Sequence, residues 1–362
     1  MQRISQVDLD IGSEELAQIT DAIERRWLTE GPLATELRER ISTLLGVQHV
    51  NFAPNGTLGL FLALLALDLP RGGEIVMPSF TFYASAMSAV FAGLKPVFVD
   101  INPDTLNAEA DAFARAVTPN TVAFMPVHIY GQCCEIEGIV DVARQAGGIR
   151  VVEDAAQAFS VMYKGKAAGT FGDIGVYSFF SDKIITSGEG GVLVTNDNSL
   201  YQKISLIRNQ GRPNAGTFTH PEIGMNFRIT DLHAGIALAQ MSKLEKILSE
   251  RARKWELYEK QLTGVGDLRF MRLLDGSGLA PFRFPIMSTS RDRIAAALEE
   301  DAVQSRGFFL PMHLQPKLRS DPTQSLPASE RAHQEGVCLP IHPHISDQDI
   351  DRICEIVRRS FN

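Results

Sequence analysis

Apolar residues near the start of the chain recur every three or four positions: Leu16, Ile19, Ile23 and Trp27, then Leu33, Leu37, Ile41 and Leu44. That spacing sets each group along one side of a helix. Ser13 ahead of an acidic first turn reads as a start signal, and Gly46 after the second group as a stop. From there the period changes. Short apolar runs at 50–53, 74–77, 96–100, 122–127, 150–153, 175–179 and 192–195 have strand length. The first five are separated by segments at 57–67, 81–91, 108–116 and 135–145, long enough for crossover helices. This alternation predicts a mostly parallel sheet covered on both faces. After Asn198 a helical pattern runs from about 230 to 262, followed by an apolar run at 283–287 and a last helical stretch at 347–359. A domain boundary inside the long helix gives a large α/β domain over 1–240 and a smaller α+β domain over 241–362.

Composition narrows the class. The 362 residues exceed what one ordinary core serves, and 44% hydrophobic with 22% charged residues suits a globular enzyme. A net charge of -8 argues against nucleic acid as the main partner. No stretch approaches the ~20 apolar residues of a membrane span. The opening residues hold no apolar run with a cleavage site, so a cytoplasmic protein is expected. Cys133, Cys134, Cys338 and Cys354 form neither a disulfide framework nor a zinc spacing with histidine, and free thiols without a metal site are expected.

Open parallel sheets bind ligands beyond the carboxyl ends of their strands, so residues there carry the candidate chemistry. After the first strand, Asn55-Gly56-Thr57 opens a helix whose free N–H groups suit a phosphate, or serve as an ordinary cap. After the second, Thr81-Phe82 offers an aromatic ring that could stack on a heterocycle or belong to the core. Glu153-Asp154-Ala155-Ala156-Gln157 ends a buried strand with carboxylates that must find a partner. One such partner is a metal, for which no companion ligands lie nearby; another is a protonated ring nitrogen. Ser178 and Lys183 then precede a turn through Gly188, Gly190 and Gly191. A lysine is usually a solvated cation, but it is also the side chain that condenses with carbonyls.

Together these residues resemble the DegT/StrS sugar aminotransferases, which depend on pyridoxal 5'-phosphate (PLP) and have the aspartate-aminotransferase fold, PLP fold type I. The similarity covers the chain from about Ile23 onward. It includes Trp27-Leu28-Thr29-Glu30-Gly31-Pro32, Asn55-Gly56-Thr57, His128-Ile129-Tyr130-Gly131, Glu153 to Gln157, Ser178 to Gly191, Gly224-Met225-Asn226-Phe227-Arg228 and His313-Leu314-Gln315-Pro316. The resemblance implies that Lys183 is the Schiff-base lysine and proton shuttle, and Asp154 the partner of the pyridine nitrogen. Phe82 would stack on the ring and Gln157 lie near its oxygen. Gly56, Thr57 and Ser178 would hold the phosphate, joined by Asn226 from a neighbouring subunit. Arg228 and His313 would contact substrate. A homodimer with shared sites is implied, with L-glutamate as donor and a nucleotide-linked keto sugar as acceptor.

Some members carry histidine in place of the lysine and act as dehydratases, so Lys183 favours transamination. Relatives often have histidine where this chain has Gln210, which leaves the contact there open. The segment from Trp27 to Pro32 resembles members that aminate C4 of 4-keto-6-deoxy sugars; amination at C3, or of an aminocyclitol precursor, is the alternative. Two other classes compete. A nucleotide-cofactor oxidoreductase would need GxGxxG where the chain has Ala53-Pro54-Asn55-Gly56-Thr57. A non-catalytic PLP-binding sensor would call for an attached DNA-binding or membrane segment.

Overall fold

The computed structural model describes residues 3–214, 216–319 and 323–361. Seven strands form the main sheet: β1 (His49–Ala53), β2 (Glu74–Pro78), β3 (Lys95–Val99), β4 (Thr121–Phe124), β5 (Arg150–Asp154), β6 (Ile174–Ser178) and β7 (Gly191–Thr195). Their order is β1-β7-β6-β5-β4-β2-β3, and only β7 runs against its neighbours. Alternation along the strands divides the core. Ile75, Met77, Val176 and Leu193 face one buried cluster, while Val76, Tyr177, Val192 and Val194 face the other. Both faces are therefore covered, as the near-continuous apolar runs require. The covering helices include α3 (Gly56–Ala66), α4 (Tyr83–Phe91), α5 (Ala110–Ala116), α6 (Ile136–Gln145) and α7 (Asn198–Arg208), preceded in the chain by α1 (Ser13–Glu24) and α2 (Pro32–Leu45).

The N-terminal helices depart from the sequence pattern in an informative way. α1 ends at Glu24, before Trp27, and Arg26 takes φ 56°. The helix buries Glu15 and Ala22 and leaves Leu16 and Ile23 outward, 65% and 57% exposed. Glu15 is drawn inward by Lys243 Nζ at 2.6 Å and Gln240 Nε2 at 2.7 Å. The same Lys243 divides the long helix expected over 230–262. The chain forms α8 (Asp231–Ser242) and α9 (Leu244–Leu262), with the Lys243 N–H bonded to Gln240 O in a tight turn and Nζ held by Asp10 O at 2.5 Å.

A second, antiparallel sheet follows, in the order β8 (Arg269–Phe270), β9 (Phe284–Met287), β11 (Gly336–Leu339), β10 (Arg306–Gly307). It is accompanied by α10 (Arg291–Glu300), α11 (Pro327–Glu335) and α12 (Asp347–Arg359). The segment before α1 runs beside this part of the molecule: Ile4 N–H bonds to Ala302 O at 3.0 Å, and Gln304 N–H to Ile4 O at 2.9 Å. All four cysteines are free and buried. Among the described residues no helix is long and apolar enough to cross a membrane, and no cluster of side chains could hold a metal ion.

Candidate active site

The carboxyl ends of β1, β2, β5 and β6 open on one cleft, whose far wall comes from the second sheet. Its cavity volume is about 320 Å³, within the ~300–1,000 Å³ of ordinary small-molecule sites.

One end is built for an anion. Asn55 caps α3: its Oδ1 accepts the Leu58 N–H at 3.0 Å and its backbone oxygen accepts the Gly59 N–H at 2.9 Å. Gly56 and Thr57 are left as the leading N–H donors at the positive end of the helix. Ser178 closes the other side. A Cβ on Gly56 would lie 2.9 Å from Ser178 Cβ, so glycine is what lets α3 start against the end of β6. Gly191 does the same for the backbone, because a Cβ there would come within 2.4 Å of the Asn55 carbonyl oxygen.

β5 ends in two acids with opposite duties. Successive strand residues point to opposite faces, which separates Glu153 from Asp154. Glu153 is fully buried and accepts N–H groups from Gly169 at 2.8 Å and from Phe171 and Gly172 at 2.6 Å. His128 Nε2 donates to it at 2.9 Å, its Nδ1 being occupied by the Cys134 N–H. Glu153 thus fixes a loop. Asp154 lines the cleft, accepting the Ser85 hydroxyl at 2.7 Å and the Ala156 N–H at 3.1 Å. Ser85 has spent its proton on Asp154, so Thr81, 2.8 Å away, donates to Ser85. Burial raises the Asp154 pKa, opposed by the Ser85 and Ala156 hydrogen bonds and by the charge of Lys183.

Lys183 lies in the loop between β6 and β7. Its Nζ stands 3.6 Å from Asp182 Oδ1 and 4.5 Å from the centre of the Phe282 ring. Burial lowers its pKa, Asp182 opposes the change and Arg283 reinforces it. A neutral amine is therefore more accessible than on a surface lysine. Asp182 also pairs with Arg283 Nη2 at 2.7 Å and Arg306 Nη1 at 3.6 Å. Gln157 gives its Oε1 to the Tyr130 N–H at 2.8 Å, so its NH₂ remains as donor. Phe82, the N-cap of α4, is 57% exposed and meets Phe309 edge-on at 6.0 Å.

Gly56, Thr57, Phe82, Asp154, Gln157, Ser178 and Lys183, all expected from the sequence, line this one cleft. Three expected residues do not. His313 is buried, with Nδ1 2.7 Å from Ser79 Oγ and Nε2 3.1 Å from Glu330 Oε1. Asn226 is exposed and accepts the Arg228 N–H at 3.2 Å, while Arg228 Nη1 donates to Asn209 Oδ1 at 2.8 Å. Asp182, Phe282, Arg283 and Arg306 also line the cleft without any local signal in the sequence, the arginines lying 100 residues or more beyond Lys183. A lysine amine facing a buried acid, beside an anion cradle, can form and break a carbon–nitrogen bond and move a proton.

Residues 9–358 match the sequence profile of the DegT/DnrJ/EryC1/StrS aminotransferase family. The chain belongs to this family. The aminotransferase is 35% identical over 358 residues to GDP-perosamine synthase of Caulobacter vibrioides, covering 97% of this chain and 96% of that one. It is 33% identical over 328 residues to UDP-N-acetyl-3-dehydro-alpha-D-glucosamine 3-aminotransferase of Acidithiobacillus ferrooxidans, covering 90% and 88%. Its structure overlays on the aminotransferase TlmJ from Streptoalloteichus hindustanus with a TM-score of 0.94 and 31% identity, each chain covered to 99%. The fold expected from the sequence is the fold of this aminotransferase.

Proposed function

We propose that this aminotransferase uses PLP to move an amino group from L-glutamate to C4 of a nucleotide-linked 4-keto-6-deoxy sugar. The observation that carries the reading is Lys183 in one cleft with Asp154, beside the anion cradle at the start of α3. Bound there, PLP would supply an aldehyde for the lysine amine and an electron sink for the charge left when a Cα proton departs. Gly56, Thr57 and Ser178 would hold its phosphate, and Phe82 would cover its ring. Asp154, kept in line by Ser85 and Ala156, would face the ring nitrogen. Gln157 would offer its NH₂ to the ring oxygen. Lys183 would move the proton at the donor's Cα, a role to which its lowered pKa is suited.

The working unit in this reading is a homodimer in the cytoplasm. Leu16, Ile23, Trp27 and Leu28 are each about half exposed or more, and Phe218 and Ile223 beside Asn226 are 88% and 91% exposed. Apolar surface of that extent supports association. Asn226 would then reach the phosphate of the neighbouring cleft, with Arg228 near substrate. Buried free thiols accord with a reducing compartment.

The name of the Caulobacter relative, a GDP-perosamine synthase, supports a nucleotide-sugar acceptor. The 3-aminotransferase relative supports amination at C3 as the second reading. One experiment separates them. PLP-loaded protein is treated with L-glutamate, freed of small molecules, and offered nucleotide-linked 4-keto and 3-keto sugars. Loss of the visible absorbance with glutamate, followed by a C4-amino product, is expected. A C3-amino product overturns the position. A coloured protein indifferent to every amino donor is the sensor, and overturns the function.

A further inference from the structure

Two arginines and one acid meet at one wall of the cleft. Asp182 Oδ2 takes both Arg283 Nη2 at 2.7 Å and Arg306 Nη1 at 3.6 Å, so two guanidiniums share one carboxylate. Neither of the other carboxylates of the cleft is ion-paired with these arginines among the described residues: Asp154 makes its hydrogen bonds to Ser85 and Ala156, and Glu189 forms no ion pair. Arg283 is only 5% exposed, and its Nε has no hydrogen bond there. Its guanidinium lies 4.8 Å from the centre of the Phe282 ring, the ring that Lys183 Nζ also faces. The Phe282–Arg283 backbone is pinned from behind, since Arg251 Nη1 donates to Pro281 O at 3.0 Å and Phe282 O at 3.4 Å. Arg306, on β10, has a side chain 55% exposed and borders the same cleft. A buried guanidinium and a half-exposed one thus share a single carboxylate at the edge of the cleft, an arrangement suited to an anion held by a fork of N–H donors.

We propose that Arg283 and Arg306, set on Asp182, form the anchoring site for the α-carboxylate of the amino donor. Position decides between the anions this reaction offers. Asp182 contacts Lys183 and both arginines, so an anion bound by them lies close to the reacting amine. In an amino acid the carboxylate is one bond from the carbon that bears the amine. In a nucleotide-linked sugar the diphosphate is separated from the keto carbon by the sugar ring. The proposal rests on the function argued above, with an amino acid as donor.

The test divides the reaction in two. Rapid-mixing absorbance follows PLP-loaded protein with L-glutamate, and amine-loaded protein with the keto sugar, for wild type, Arg306→Gln, Arg306→Lys and Arg283→Gln. Losing a charge-assisted fork should raise the glutamate concentration for half-maximal rate roughly tenfold or more in the glutamine variants. Arg306→Lys should recover part of that, and the sugar half-reaction should change far less. The absorbance of the lysine-bound cofactor reports whether each variant is folded around its site. Calorimetry with glutarate, which has the carboxylates but no amine, should show correspondingly weaker binding to Arg306→Gln. Unchanged glutamate dependence in both glutamine variants overturns the proposal, as does a defect confined to the sugar half-reaction, which would assign the arginines to the diphosphate. A wild type that does not respond to L-glutamate overturns the function itself, and this proposal with it.

Discussion

At the scale of single residues, the site sets two groups against their ordinary ionisation. Burial raises the carboxyl of Asp154 and lowers the amine of Lys183 from its usual 10.5. Only the neutral amine attacks a carbonyl, and a lowered pKa means that form dominates from a lower pH upward. Cofactor capture by cofactor-free protein should therefore speed up as pH rises and level off below pH 10.5, read as the growth of visible absorbance. A midpoint at or above the ordinary lysine value would contradict this. Asp154→Asn keeps the shape and removes the charge, while the phosphate cradle is untouched. The variant should still bind PLP but turn over about 10²-fold or more slowly, by steady-state assay, on the scale of one lost acid–base partner. These two residues were legible in the sequence because Asp154 ends an apolar strand and Lys183 follows another, just before a glycine-rich turn. It could not separate Glu153 from Asp154 by position alone; the parity of β5 does that, sending one acid into a loop of N–H donors and the other into the cleft. Asp182 beside the lysine, and the arginines that meet it, carry no local signal because tertiary folding alone brings them together.

At the scale of elements, one helix start belongs to the site and another to the fold that holds it. α3 begins against Ser178 with no room for a side chain at Gly56. Gly56→Ala should cost about 1–3 kcal/mol of local fit and weaken PLP binding roughly tenfold or more, measured by titration of the cofactor-free protein. Unchanged affinity would remove the start of α3 from the phosphate site. α2 is capped from a distance: Asp231 accepts N–H groups of Gly31 at 2.7 Å, Ala34 at 3.1 Å and Leu33 at 3.2 Å. Asp231→Ala leaves those buried donors unsatisfied and should lower unfolding stability by about 1–3 kcal/mol in urea. The strand and helix positions were close to what apolar period predicts, because each strand has both faces buried. The long helix was not, since the pattern runs on through Lys243 while its amine is tied back to Asp10 and Glu15. α1 shows the other limit of pattern reading. Its helical spacing is real, but the apolar stripe faces outward while an acid packs inward.

At the scale of the whole molecule, the proposed homodimer would cover that outward stripe and the exposed loop before Asn226, each cleft being completed by the second copy. Complementation tests it without a structure of the dimer. Lys183→Ala and Asn226→Ala chains, each impaired alone, are mixed under dissociating conditions and reassembled. If Asn226 serves the neighbouring cleft, each mixed dimer holds one intact site, and random pairing restores about a quarter of the sites. No recovery would mean that Asn226 serves its own chain or neither.

The central claim is that a single lysine holds the cofactor opposite Asp154, and borohydride trapping tests it most directly. PLP-loaded protein is reduced, digested and mapped by mass spectrometry. The account predicts the cofactor's added mass on the peptide containing Lys183, and no trapped cofactor in Lys183→Ala. Cofactor found on another lysine of the wild-type protein, or none trapped at all, would contradict it.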